Sequence, residues 1–192
     1  RYMYLVKGFG NTLLITLFAV LLGILLGFLV AIIRSSHDRM DRPGIVMKIL
    51  NFICNVYLTI IRGTPTMVQI LIMYFIVFSS AGIPKLLVAV LTFGINSGAY
   101  VAEIVRAGIL AVDKGQMEAG RSLGLNKFQT MRYIIIPQAF KSILPPLGNE
   151  FIVLIKETSI VGYVGMSDLT RVANQMTSKL FDVFTPLLGI AF

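Results

Sequence analysis

Long uncharged runs separated by short polar clusters set the pattern of this chain. Residues 8–33 carry no charged side chain, and a helix needs about 20 apolar residues to cross a hydrocarbon core. This run predicts a first spanning helix. It is too long for the apolar region of a signal peptide, and no small-residue cleavage site follows it. Gly23 and Gly27 stand in a GxxxG spacing, which lets a second helix approach closely. A polar hairpin follows at residues 34–48, with Arg34, His37, Asp38, Arg39, Asp41, Arg42 and Lys48 around Pro43-Gly44. The next apolar run, residues 49–80, is too long for one straight crossing and is interrupted by Arg62-Gly63-Thr64-Pro65. Pro65 lacks a backbone donor, so a kink is expected there. A broken helix at membrane depth is tolerated only where protein or water surrounds it. Arg62 is therefore buried against partners or lines a cavity, unless it reaches out to the interface.

A third span is predicted at residues 86–110 and carries Asn96, Ser97, Tyr100, Glu103 and Arg106. Glu103 and Arg106 are three apart, hence neighbours on one helical face, and read as a structural ion pair. Residues 111–141 are the most polar stretch. A fourth span, residues 142–160, contains Pro145-Pro146, Glu150, Lys156 and Glu157. A last apolar run begins at Val183 and has only ten residues before the sequence stops, too few to span. The chain reads as trimmed inside a fifth helix, and Arg1 as trimming at the other end. The expectation is an all-α integral membrane protein, a single transmembrane domain over residues 1–192. It would have five transmembrane helices, the fifth truncated, and a cytoplasmic helix-turn-helix loop at 111–141.

Composition agrees with that pattern. Apolar residues make up 56% and charged residues 14% of the 192 positions, with a mean hydropathy of +0.84. A soluble domain carries about 25% charged residues, so a soluble globular enzyme is excluded. The net charge of +8 would suggest nucleic acid if the bases formed a stripe. They lie instead in clusters between apolar runs, as in the cytoplasmic loops of membrane proteins. One side holds Arg34, Arg39, Arg42, Lys48, Arg106, Lys114, Arg121, Lys127, Arg132 and Lys141, twice the number on the other side, Arg1, Lys7, Lys85, Arg171 and Lys179. The positive-inside rule then puts the N-terminus outside and the 106–141 loop in the cytoplasm. Cys54 is the only cysteine and His37 the only histidine, which excludes an internal disulfide and a Cys/His metal cluster.

Residues 114–137 read KGQMEAGRSLGLNKFQTMRYIIIP. Good helix formers at 116–123 precede Gly124, placed as a C-terminal left-handed residue, and Asn126 is placed to cap a second helix ending at Pro137. Phe128, Met131, Ile134 and Ile135 form an apolar stripe on that otherwise basic helix. Such a loop suits docking into a groove on a soluble partner, or lying on lipid headgroups.

The spacing Glu118-Ala119-Gly120, three residues, Gly124, nine residues, Ile134, one residue, Ile136-Pro137 resembles the EAA motif of the membrane subunits of ABC importers. Gly120 stands where Ala is usual and Ile136 where Leu is usual. Further blocks are similar to the polar amino-acid permeases of that superfamily: Asn11-Thr12-Leu13, Arg62-Gly63-Thr64-Pro65 followed by Gln69, Ala99-Tyr100 with Glu103, Arg106 and Gly108-Ile109, and Asn149-Glu150-Phe151 through Lys156-Glu157-Thr158-Ser159. Glu157 sits where Asp is frequent.

The resemblance implies a permease subunit of the bacterial plasma (inner) membrane with no cofactor of its own and no catalytic or metal-binding residues. ATP would be hydrolysed on a separate cytoplasmic ATPase dimer; the chain contains no GxxxxGK[ST] phosphate loop. Glu118, Ala119, Gly120 and Gly124 would couple to that ATPase, and a second permease subunit, identical or paralogous, would pack about a two-fold axis. Residues 162–171, with Met166, Ser167 and Asp168, would receive an extracytoplasmic amino-acid-binding protein.

For the substrate, an ionisable residue inside a span is a functional candidate because lipid burial is expensive. Glu150 has no base three or four residues away and suits a cationic side chain or an α-ammonium group, which favours a basic amino acid; alternatively it pairs with Arg62. Thr64, Met67, Asn96, Ser97 and Tyr100 are its expected cavity neighbours. The alternatives are an ABC permease for another small solute and a secondary transporter or channel.

Overall fold

The computed structural model describes residues 2–38, 40 and 42–191. Arg1, Arg39 and Asp41, counted above among the loop charges, lie outside them. The described elements are helical. Three of them are long and apolar enough to cross a membrane: Met3–Asp38, Ile45–Gly63 and Lys85–Leu110.

The first helix, α1 (Tyr2–Asp38), is one unbroken rod, about 55 Å long at 1.5 Å per residue. Its buried positions are Gly8, Thr12, Ile15, Thr16, Ala19, Gly23, Gly27, Val30 and Ala31, a seam of mostly small side chains at helical spacing. That seam lies along α4 (Lys85–Leu110), the central helix, packed between α1 and α7 (Ile136–Glu157). The approach is as close as the GxxxG spacing predicts. A Cβ on Gly23 would stand 2.8 Å from the Ser97 hydroxyl, and one on Gly27 would stand 2.5 Å from Val101 Cγ1 and 2.9 Å from the Ala102 nitrogen. Near the α1 N-terminus the core joins Ile15, Ala19, Ile70, Phe93, Leu154 and Val161. Toward its C-terminus Ala31, Val101, Val105, Ala139 and Ile143 pack together.

Helix α2 (Ile45–Gly63) buries only Cys54 and Leu58, which pack on Val30, Ala99 and Ala102. It ends where expected. Thr64 and Pro65 are extended, and the chain restarts as α3 (Thr66–Ile72), continued by a π-helical turn over Met73–Val77. Because Pro65 has no N–H, the Ile61 carbonyl loses its helical partner. Gln69 takes it: its Nε2 donates to Ile61 O at 2.7 Å, Thr64 Oγ1 at 2.8 Å and Thr64 O at 3.1 Å.

The polar loop is a helix-turn-helix. Helix α5 (Lys114–Ser122) starts at Asp113, whose side chain accepts from the Gly115 N–H. It ends in a Schellman motif: Leu125 N donates to Gly120 O, Gly124 N donates to Arg121 O, and Gly124 has φ +86°. Helix α6 (Lys127–Thr130) opens with a complete capping box between Asn126 and Gln129.

The expected stop at Pro137 does not occur. A π-helical turn, Met131–Ile135, carries the chain into α7, and Pro137 sits in the first turn of that helix. The wider turn, with Ile136 N donating to Met131 O, absorbs the residue that cannot donate. Phe128 is 71% exposed, so the expected apolar stripe is split: Ile135 is buried and Ile134 covers Gly120.

After α7 a 3₁₀ helix, Thr158–Val164, ends at Gly165 with φ +78°. Helix α8 (Leu169–Leu180) is capped by Asp168 and lies against Gly8 of α1. Helix α9 (Phe184–Ala191) is too short to span. Asp182 accepts from the Phe184 and Thr185 amides at its start. Hydrogen bonding by Thr185, through side chain and backbone, holds the Asp182 carboxyl below its ordinary value.

Candidate substrate path and coupling surface

A polar stripe runs along α2. Asn51, Asn55, Thr59 and Arg62 recur at i, i+4, i+8 and i+11, hence on one face of an otherwise apolar helix. Asn55, Thr59, Arg62 and Gly63 line a cavity of about 500 Å³ together with Arg34, Leu58, Tyr100 and Glu103. Arg34 on α1 donates to Glu103 Oε1 at 2.7 Å. Arg62 stands 3.8 Å from the same oxygen, with its guanidinium 5.6 Å from the centre of the Tyr100 ring.

The expected Glu103–Arg106 pair is present only at 4.0 Å. Each has a nearer partner on α1, because Arg106 bonds Asp38 at 2.8 Å while Glu103 takes Arg34. The two ion pairs fasten the C-terminal ends of α1 and α4 to one another.

The six expected substrate contacts fall in four places. Tyr100 lines the charged cavity. Asn96 donates to Gln69 Oε1 at 2.9 Å, which joins it to Thr64 through the cap on the helix break. Thr64 also lines a smaller apolar cavity of about 220 Å³ with Gln69, Thr92 and Ile95. Ser97 is fully buried, its hydroxyl without a hydrogen bond of ordinary geometry. Glu150 on α7 is also buried, 8% exposed. Met67 is 37% exposed at the start of α3, outside both cavities. The alternative pairing of Glu150 with Arg62 is not formed; Arg62 belongs to Glu103 and Tyr100.

On the helix-turn-helix loop Glu118, Ala119 and Gly124 are exposed, whereas Gly120 is buried. A Cβ on Gly120 would meet Thr130 Cγ2 at 2.5 Å, so the glycine lets α5 lie directly on α6. Exposed Leu123 and Tyr133 flank this surface. Among the expected docking residues only Ser167 is exposed. Met166 belongs to the core, and Asp168 is 1% exposed with its carboxylate spent on the Thr170 and Arg171 amides. The Ser167 carbonyl accepts from Asn11 Nδ2 at 2.8 Å, and Lys85 caps Val164 O at 3.1 Å. Tyr163 and Gly165 are exposed beside Ser167.

Sequence reading passed over Asn55 and Thr59, although their spacing from Arg62 carried the signal. It noted Gln69 only as part of a block, since its role depends on carbonyls that a sequence does not display.

A helical bundle with three helices long and apolar enough to cross a membrane, a broken helix, a charged cavity and a helix-turn-helix fits the class of polytopic membrane subunits. Comparison with known proteins narrows this. Residues 44–191 match the family model described as binding-protein-dependent transport system inner membrane component, and the chain belongs to that family. It is 43% identical over 136 residues to the glutamine transport system permease protein GlnP of Escherichia coli K12, covering 69% of this chain and 62% of that one. It is 38% identical over 190 residues to a GlnP-type permease protein of Rickettsia prowazekii, covering 98% and 83%. Among solved structures, an amino acid ABC transporter with histidines superposes with a TM-score of 0.86 at 44% identity, covering 99% of this chain and 85% of that chain. The MetNI methionine ABC transporter shares the fold, with a TM-score of 0.79 at 21% identity over 99% and 89% of the two chains.

Proposed function

We propose that this chain is the permease subunit of an ATP-driven amino-acid importer that carries basic and polar amino acids by alternating access. The observation that carries this reading is the coupling loop. A capped helix-turn-helix presents Glu118 and Ala119 to solvent at the end of the molecule where the bases collect. The family assignment and the relatives named for amino-acid transport support the same reading.

In this scheme the ATPase dimer receives α5 and supplies the ATP chemistry, so this chain is no enzyme. A second permease subunit completes the path, and the extracytoplasmic binding protein docks on the face around Tyr163, Gly165 and Ser167. The N-terminus lies outside the bacterial inner membrane. Crossings α1, α2 with α3, α4 and α7 and the apolar helix α9 make up the domain. Buried Glu150, with Ser97 beside it and Glu157 two turns further along α7 adding negative charge to its field, forms the cation-selective part of the site. Asn96, Tyr100, Thr64 and Met67 complete its surroundings.

The test is uptake of labelled histidine, arginine and glutamine into proteoliposomes holding the complete transporter. Glu118→Ala should abolish ATP-driven uptake of all three while the complex remains folded. Glu150→Gln should weaken arginine and histidine uptake more than glutamine uptake. Full ATP-driven uptake by Glu118→Ala would sink the coupling assignment, and an equal effect of Glu150→Gln on all three would remove Glu150 from the selective site.

A further inference from the structure

The charged cavity between α1, α2 and α4 holds two guanidinium groups for one carboxylate. Glu103 is already committed, because Arg34 donates to it at 2.7 Å. Arg106 adds nothing to the lining, since Asp38 holds it at 2.8 Å. Arg62 is the surplus. It stands 3.8 Å from Glu103, makes no hydrogen bond among the described residues, and leaves 45% of its side chain exposed over the Tyr100 ring. Arg34 Nε is buried without a partner. Two guanidinium groups thus share one carboxylate, and the cavity keeps a net positive charge that an anion would offset. A planar guanidinium with free donors matches a carboxylate in two-point geometry.

The surroundings fit the same ligand. Asn55 and Thr59 lie one and two turns from Arg62 on the same face of α2 and line the cavity, giving neutral donors and acceptors beside the cation. The volume, about 500 Å³, is ample for one amino acid. Its walls come from three helices, one of which, α2, buries only Cys54 and Leu58.

We infer that this cavity is a second station on the substrate path, in which Arg62, supported by Arg34, binds the α-carboxylate of the transported amino acid. The inference rests on the amino-acid reading above and adds to it. Glu150 selects the cationic part of the substrate, and Arg62 reads the group that all amino acids share. Tyr100 lies under the guanidinium and holds it toward the cavity. The competing source of the same chemistry is the phosphate of an anionic lipid headgroup.

The experiment measures equilibrium binding to the purified permease–ATPase complex in nanodiscs, without binding protein. The probes are histidine and histidinamide, in which a neutral amide replaces the carboxylate. The wild type should bind histidine at least about tenfold more tightly than histidinamide, the scale of a charge-assisted hydrogen-bonded pair. Arg62→Gln should abolish that preference by weakening histidine alone, and Arg62→Lys should restore part of it.

Absence of histidine and of every other amino acid from the wild-type complex would overturn the transport reading itself. Equal affinity of the wild type for histidine and histidinamide would overturn this inference and leave that reading standing. Equal loss of both ligands in Arg62→Gln would make Arg62 a structural residue and overturn it too. A preference that vanishes when phosphatidylglycerol is replaced by phosphatidylcholine would assign the cavity to lipid phosphate.

Discussion

Gln69 shows how much one side chain can hold in a membrane protein. The break at Thr64-Pro65 frees carbonyls that water would satisfy in a soluble protein, whereas here the protein must supply the donor. Gln69 Nε2 serves Ile61 O and both oxygens of Thr64, and its Oε1 accepts from Asn96 on the neighbouring helix. Leucine has nearly the same bulk and none of these bonds. Gln69→Leu should therefore leave packing intact but strand two carbonyls and the Asn96 amide. A cost of about 1–3 kcal/mol follows from one unsatisfied buried group alone. The expected result is a lowered thermal midpoint of the purified complex in detergent. A midpoint equal to the wild type would mean that water already serves the break.

Glycines govern how several elements meet, and two places show it. Along α1, Gly23 and Gly27 admit α4 to within contact of its backbone, and on the helix-turn-helix loop Gly120 admits Thr130. The GxxxG pair and the loop caps at Gly124 and Asn126 were legible in the sequence because spacing and local chemistry determine them. The continuation of the helix through Pro137 was not. A proline in an apolar run reads as a stop, and only tertiary packing of α6 and α7 on α4 and α5 makes the π turn worthwhile. The split of the apolar stripe has the same origin, since Ile134 turns toward Gly120 while Phe128 stays outside.

Gly27→Ala tests the tighter seam. The new methyl would meet the Ala102 nitrogen at 2.9 Å, and backbone cannot give way as a flexible side chain can. Overpacking of this kind costs about 1–3 kcal/mol. Gly10→Ala on the same helix, where a Cβ meets nothing within 4 Å, is the control. Thermal unfolding should separate the two variants. Equal midpoints would show that α1 and α4 move apart at little cost.

At the scale of the whole molecule the two ends differ in kind. Asn11 meets Ser167, and Lys85 meets Val164 at one end, whereas Asp38 meets Arg106 at the other. The sequence anticipated which charged segments belong together, because charge clusters follow the alternation of spans. It did not reveal that Met166 and Asp168 fold inward, for a polar loop looks the same whether its side chains cap helices or face a partner. Nor did it reveal that Arg34 would take Glu103 from Arg106, since local spacing says nothing of a helix 69 residues away in the chain. The segments joined by the Asp38–Arg106 pair, residues 34–48 and 106–141, carry Arg34, Arg42, Lys48, Arg106, Lys114, Arg121, Lys127, Arg132 and Lys141 among the described residues. The segments at the opposite ends of the spans carry Lys7, Lys85, Arg171 and Lys179. By the positive-inside rule that imbalance predicts an N-terminus outside and a cytoplasmic helix-turn-helix loop. Two exposed positions report it, Leu123 at 81% and Tyr163 at 66% exposure. With Cys54 replaced by Ala and the permease expressed without its ATPase, Tyr163→Cys should react with a membrane-impermeant maleimide added to intact spheroplasts. Leu123→Cys should react only after the membrane is opened. The opposite labelling pattern would invert the topology and place the Glu118 surface where no cytoplasmic ATPase could reach it.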